Sequence, residues 1–124
     1  MRSISLLSAM VVVFASAGCN ILNARDARCD LRPNKDQCTD QRDFRGPSFF
    51  TFQGVCDMLK SAGGGGTFTE DARCDMAGAI GGCQSSSADG TKQTNWYYSG
   101  TKYKTEADAT AECDSGQSFV APTP

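Results

Sequence analysis

The chain contains no histidine among its 124 residues. This absence excludes Ser-His-Asp and Cys-His nucleophilic sites, histidine general bases and histidine-ligated zinc. Glutamate is scarce, and no two carboxylates are placed in a way that indicates a glycosidase, which needs a pair set across a cleft. The only glutamates are Glu70, Glu106 and Glu112. We therefore expect a protein that is not an enzyme and that needs no cofactor.

Basic runs are also absent, and the formal net charge is −2. A mildly acidic chain is poorly suited to nucleic acid, so we expect no nucleic-acid partner. Several aspartates surround Cys38, but arginines and one lysine are interleaved with them and no calcium-loop motif is present. We interpret this stretch as a solvated loop with local ion pairs and expect no metal site.

Long hydrophobic runs are absent beyond the N-terminus, where residues 1–18 are typical of a signal peptide. The apolar stretch is too short to span a bilayer, which needs about 20 residues. Two cleavage sites compete. Cleavage after Ala17 would release a soluble extracellular protein. Alternatively, residues 16–19 resemble a bacterial lipobox, although serine replaces the usual leucine, and Cys19 would then be lipidated.

Cysteine is plentiful, with seven residues, of which Cys19 is the odd one. The remaining six predict a disulfide framework in an oxidising compartment; they are Cys29, Cys38, Cys56, Cys74, Cys83 and Cys113. Because lipidation removes the odd thiol, we favour a lipoprotein held in the bilayer by N-terminal acyl chains. Asn20 follows the cysteine in place of aspartate, which in lipoproteins of this type indicates the outer membrane. Residues 19–24 would form its tether.

A pentapeptide, Asp-Ala-Arg-Cys-Asp, occurs at residues 26–30 and again at residues 71–75. The same offset of 45 residues relates Cys38 to Cys83. This pattern predicts two tandem cysteine-framed units, residues 25–70 and residues 71–122. We expect a small disulfide-rich α+β fold in which each unit has short antiparallel strands plus one helix.

Each unit contains one predicted helix. Apolar residues at helical spacing indicate a helix over residues 49–62, with Ser48 at its cap position. Thr105 and Asp108 resemble a capping box, with aspartate in the usual glutamate position, and predict a helix over residues 106–114.

Short strands complete each predicted unit. Glycines after each helix lead to Phe68 and Phe119, where we expect strands to begin. The turn residues Ala88-Asp89-Gly90 predict a hairpin in the second unit, flanked by strands over residues 84–87 and 93–99.

Three cysteines in each unit cannot all pair within that unit, so at least one bridge must join the two units. Six cysteines allow 15 connectivities. If equivalent positions have equivalent roles, the pairs are Cys29–Cys74, Cys38–Cys56 and Cys83–Cys113. The main alternative joins Cys56 to Cys74.

Trp96, Tyr97 and Tyr98 are the candidate ligand-binding residues, because aromatic side chains on a strand can stack on a glycan or anchor a protein partner. Strand alternation places Trp96 and Tyr98 on one face and Tyr97 on the other. One face should be core, so at least one of the three is structural.

Together these motifs resemble small cysteine-rich lipoproteins of predatory soil myxobacteria. The resemblance covers most of residues 19–122 and is carried by Cys74, Gly82, Cys83, Tyr97, Tyr98, the alanine-rich segment ending at Cys113, and Phe-Val-Ala-Pro at residues 119–122. It implies a location and a style of fold, and no assigned biochemistry. We expect a lipid-anchored structural or interaction module with another envelope protein or a glycan as partner. The alternative is a soluble secreted effector or inhibitor.

Overall fold

The computed structural model describes residues 23–124, so the leader and Cys19 lie outside the described residues. Six strands form one antiparallel sheet in the order β3-β1-β2-β5-β4-β6. The elements are β1 (Arg25–Asp30), β2 (Gln37–Phe44), α1 (Pro47–Ser61), β3 (Thr67–Glu70), β4 (Ala79–Ser86), β5 (Lys92–Tyr98), α2 (Glu106–Thr110) and β6 (Ser118–Val120). The prediction of a small disulfide-rich fold with antiparallel strands and two helices is confirmed. Strands make up more of the fold than helices do.

All six cysteines of the even set are paired, as Cys29–Cys56, Cys38–Cys74 and Cys83–Cys113. The pair Cys83–Cys113 is the predicted one. The predicted pairs Cys29–Cys74 and Cys38–Cys56 are wrong, and so is the alternative Cys56–Cys74. One bridge, Cys38–Cys74, joins the first three cysteines to the last three, as the parity argument requires.

The pairing prediction failed because the repeated pentapeptide does not mark equivalent positions. Residues 26–30 lie in β1, whereas residues 71–75 lie in the irregular segment between β3 and β4. Asp71 has a positive φ of 51° there, which is a turn conformation and not a strand conformation. Cys74 therefore occupies a position unlike that of Cys29, and equal spacing in the sequence gave a false register.

Helix α1 packs through aromatic residues on the outer strands of the sheet. Phe49, Phe52 and Cys56 are buried against Phe44 and Phe68, and the rings of Phe44 and Phe49 stack with centroids 5.3 Å apart. The predicted cap at Ser48 is wrong, because the helix already begins at Pro47 and no side chain caps it. Proline suits this first position, since its missing N–H would have no helical partner.

Helix α2 is short, and its start is as predicted. The Thr105 hydroxyl accepts the Asp108 N–H, and the Asp108 carboxylate accepts the Thr105 N–H in return. Backbone N–H groups of Lys104 and Thr105 lower the pKa of Asp108. The helix ends at Thr110, short of the predicted residue 114, and its buried Ala109 packs beside Cys83 and Tyr97.

A segment that we call the strap, residues 71–78, crosses the sheet on the face opposite to the helices. The strap must cross the sheet because it connects β3, which is an edge strand, to β4, which lies on the other side of the sheet centre. Cys29 and Thr39 are cross-strand partners, so the neighbouring Cys38 points to the other face. Cys56 of α1 is bonded to Cys29, and Cys74 of the strap is bonded to Cys38.

The strap is hydrogen-bonded to each strand that it crosses. From one end to the other the bonds are Asp71 N–H to Asp26 O at 2.8 Å, Arg28 Nη1 to Arg73 O at 3.2 Å, Cys74 N–H to Asp40 Oδ2 at 3.2 Å, and Tyr98 O–H to Asp75 O at 2.5 Å. The strap thus replaces the water that would otherwise cover this face.

Asp40 is the fully buried carboxylate beneath the strap. Its Oδ2 accepts the Cys74 N–H at 3.2 Å and the Trp96 Nε1–H at 3.0 Å. Arg42 Nε lies 3.5 Å from its Oδ1. The expectation of a solvated loop around Cys38 is therefore wrong: this stretch forms β2, and Asp40 faces the core.

The bridge that holds the strap should contribute strongly to stability. We predict that Cys38→Ala together with Cys74→Ala lowers the free energy of unfolding by about 2–5 kcal/mol, the range for lost bridges in small secreted domains. Urea denaturation measures the loss. Non-reducing peptide mapping of the variant should still recover Cys29–Cys56 and Cys83–Cys113. Recovery of Cys29 joined to Cys74 in the parent protein would contradict the fold.

Removal of the Asp40 carboxylate should leave two N–H donors and Arg42 without their buried partner. We predict that Asp40→Ala costs about 3–5 kcal/mol, because each of the two hydrogen bonds to the buried carboxylate contributes about 1.5–3 kcal/mol. Asp40→Asn keeps one oxygen for both donors and should cost only about 1–2 kcal/mol, the difference between charged and neutral hydrogen bonds. Asp57→Ala on the exposed side of α1 is the matched control. Equal losses in the free energy of unfolding for Asp40→Ala and Asp40→Asn would contradict the role of Asp40 as the buried acceptor.

Candidate functional site: a groove beside the first helix

A row of six residues runs across the helix-bearing face of the sheet. In order of cross-strand partners it reads Phe68, Cys29, Thr39, Asn95, Cys83 and Phe119. Disulfides join Cys29 to α1 and Cys83 to the turn after α2. The two helices therefore cover the outer parts of the row, and its centre is left partly exposed.

A groove with a cavity volume of about 380 Å³ lies between α1 and this centre. Its wall is apolar and includes Leu31, Phe52, Val55, Leu59 and the Cys29–Cys56 disulfide. Its floor is polar and consists of Thr39, Gln41 and Gln93, and Ser48 and Thr51 stand at its rim. Apart from the paired cysteines, none of the residues that line it is ionisable.

A smaller polar cavity of about 200 Å³ extends the groove toward the β4–β5 hairpin. The two cavities share Gln41, Ser48 and Gln93. The hairpin contributes the hydroxyls of Ser85, Ser87 and Thr91 and the carboxylate of Asp89. The site is thus apolar under α1 and becomes polar toward the hairpin.

The floor of the groove has one unsatisfied hydrogen-bonding atom. Thr39 Oγ1 donates to Asn95 Oδ1 at 2.9 Å, and Gln41 Nε2 donates to Gln93 Oε1 at 2.7 Å. Gln41 Oε1 is buried, and no donor among residues 23–124 bonds to it. Leaving a buried acceptor unpaired costs about 1–3 kcal/mol, so the floor carries a cost that a bound donor would remove.

The aromatic residues expected to touch a ligand are buried in the structure. Trp96, Tyr97 and Tyr98 are 3%, 4% and 4% exposed, so their prediction as surface contacts is wrong. Their alternation is as predicted, because Trp96 and Tyr98 pack under the strap and Tyr97 packs beside Tyr103 near α2. Burial raises the pKa of Tyr98 to about 12, and burial also raises the pKa of Tyr97.

Gln41 and Gln93 were not identified from the sequence. They are 52 residues apart, and only the pairing of β2 with β5 makes them partners. The sole signal in the sequence is that each lies in a run of consecutive polar residues, 39–43 and 91–95, which does not single out either glutamine.

Neither helix in residues 23–124 is long and apolar enough to cross a bilayer. Over the same described range, no three acidic or cysteine side chains are grouped so that they could hold a metal ion.

Comparison with known proteins gives no match among family models, curated proteins or solved structures.

If the glutamine floor serves binding, the unbound protein should not depend on it for stability. We predict that Gln41→Leu together with Gln93→Leu leaves the free energy of unfolding unchanged or raises it, because both partners become apolar and the unpaired acceptor disappears. Chemical denaturation tests this. The comparison is the double variant Thr39→Val with Asn95→Leu, because neither Thr39 nor Asn95 has a buried unsatisfied atom in the parent protein. A loss above about 1 kcal/mol for the glutamine variant would show that the pair serves the fold.

Proposed function

We propose that this protein is a lipid-anchored, disulfide-stapled module of the bacterial cell envelope that binds a partner in the groove and catalyses no reaction. The observation that carries the binding part is the groove itself, with an apolar wall, a polar floor and an unpaired buried acceptor. Such a combination of apolar surface with a few polar groups is typical of ligand sites. The absence of histidine from the sequence supports a non-catalytic role.

The proposed location follows from the cysteines. Three disulfides among residues 29–113 suit an oxidising compartment outside the cytoplasm. Cys19 is the one cysteine outside this framework, and it stands at the end of a lipobox-like sequence. The resemblance to myxobacterial lipoproteins favours the same location. We therefore propose anchoring of the mature protein to the outer membrane through acyl chains on Cys19.

Anchoring can be tested at the N-terminus. We predict that the native protein begins with a triacylated Cys19 and that Cys19→Ser moves it from the membrane fraction to the soluble fraction. Mass spectrometry and membrane fractionation are the measurements. Ser16→Leu, which restores the usual lipobox leucine, is the control and should remain membrane-bound. An unmodified Gly18 at the native N-terminus would contradict anchoring and favour the soluble secreted alternative.

We also propose that residues 25–70 and 71–122 contain two copies of one strand-strand-helix-strand unit. Support comes from the strand order, in which β3-β1-β2 is followed by its counterpart β5-β4-β6 in reverse. The row across the sheet likewise has phenylalanine at each end and cysteine next to it. This correspondence matches Cys29 with Cys83 and Cys56 with Cys113, and it leaves Cys38–Cys74 as the link between the copies.

If the copies are equivalent, Thr39 and Asn95 occupy matching positions at the centre of the row. We predict that exchanging them, Thr39→Asn with Asn95→Thr, restores most of the stability lost in either single variant, because the same hydrogen-bonded pair forms in the opposite direction. A thermodynamic cycle of the three variants gives the coupling free energy. The expected coupling is about 0.5–3 kcal/mol. A double variant whose loss is the sum of the single losses would contradict equivalence.

A further inference from the structure

We propose that the groove binds a neutral small amphiphile with a short alkyl chain and a carboxamide group. This inference rests on the proposed binding function of the same groove and adds the chemical class of the ligand. Three properties carry it: the apolar wall, the unpaired floor atom and the absence of charged side chains from the lining of the main cavity.

The apolar part of the ligand is set by the wall. Phe52, Val55 and Leu59 lie on one side of α1 and line the groove. Leu31 and the Cys29–Cys56 bridge pack with Phe52 and continue this apolar lining. Val55 is 44% exposed, so an apolar group that covered it would remove apolar surface from water. Each buried methylene group favours binding by roughly 0.8 kcal/mol, and an alkyl chain is the simplest group that uses such a wall.

The carboxamide is set by the floor. Gln41 Oε1 needs a donor, because its amide nitrogen already donates to Gln93. An amide N–H meets this need. If both glutamine amides were turned over, the unpaired atom of Gln41 would be its nitrogen, and the ligand's amide oxygen would then be the partner. A carboxamide offers both groups and fits either orientation, whereas an ether or ester offers no donor.

The charge of the cavity lining and the cavity volume further restrict the class of ligand. The lining of the main cavity holds no charged side chain, so a carboxylate or ammonium group would lose its hydration there without gaining a counterion. The volume of about 380 Å³ is at the lower end of the range for ligand sites. A short alkyl chain fits this space, and a full membrane lipid does not.

The test is a titration of the secreted Cys19→Ser protein, which needs no detergent, with octanamide. Octanoate and octylamine are probes of the same chain length and opposite charge. We expect saturable octanamide binding that shifts the backbone amide resonances of Gln41, Val55 and Gln93. Each charged probe should bind at least about tenfold more weakly than octanamide, because its charge must be desolvated.

Two variants on one helix provide the matched control. Val55→Glu puts a charge in the groove wall and should weaken octanamide binding about tenfold or more. Met58→Glu places the same charge on an exposed side chain of α1 that is not part of the lining, and it should change affinity by less than about twofold. Circular dichroism and thermal unfolding confirm that both variants are folded.

The inference is overturned if octanamide does not bind to the folded protein, or if Val55→Glu and Met58→Glu bind it equally well. It is also overturned if octanoate or octylamine binds in the groove as tightly as octanamide. In that last case the proposed carboxamide ligand is wrong, whereas the proposed binding function of the groove is retained. Anchoring is judged separately from the mass of the N-terminus, so its failure cannot be mistaken for failure of the ligand class.

Discussion

The buried carboxylate of Asp40 fixes how the strap lies on the sheet, and the rest of the structure depends on that placement. It accepts hydrogen bonds from the backbone of Cys74 and from the indole of Trp96, so it ties the strap to both β2 and β5. The Cys38–Cys74 bridge adds a covalent link at the same point. A buried charge is costly unless it is paired. A strap shifted by one residue would lose the Cys74 N–H bond to Asp40, so this cost favours the observed register over shifted ones.

The strap also determines where a binding site can be. One face of the sheet is closed by the strap, and the other carries both helices over its outer strands. Between the helices the centre of that face is left to Thr39, Gln41 and Gln93 beside an apolar helix flank. Bridges at Cys29 and Cys83 hold the helices in place, so the groove is a consequence of the same disulfide framework that stabilises a small chain.

The features predicted correctly from the sequence are those set by neighbouring residues. The capping box of α2 and the hairpin around residues 88–90 need only local geometry, and both are present. The pairing of Cys29 and the burial of all three aromatic residues depend on contacts across the sheet. The predicted pairing is wrong, and strand alternation alone does not show which face is core. The groove was missed for the same reason, because β-sheet register brings Gln41 to Gln93 and no short motif encodes that register.

Native-state hydrogen exchange of the Cys74 amide tests the central claim most directly, since this N–H donates to buried Asp40. Amides in a cooperative core exchange only through global unfolding, whereas loop amides exchange through small local openings. If the strap is part of the core, the opening free energy of the Cys74 amide should lie within about 1 kcal/mol of that of the Trp96 amide in β5. Exchange of Cys74 at the rate of an unprotected loop, while β5 stays protected, would contradict the account.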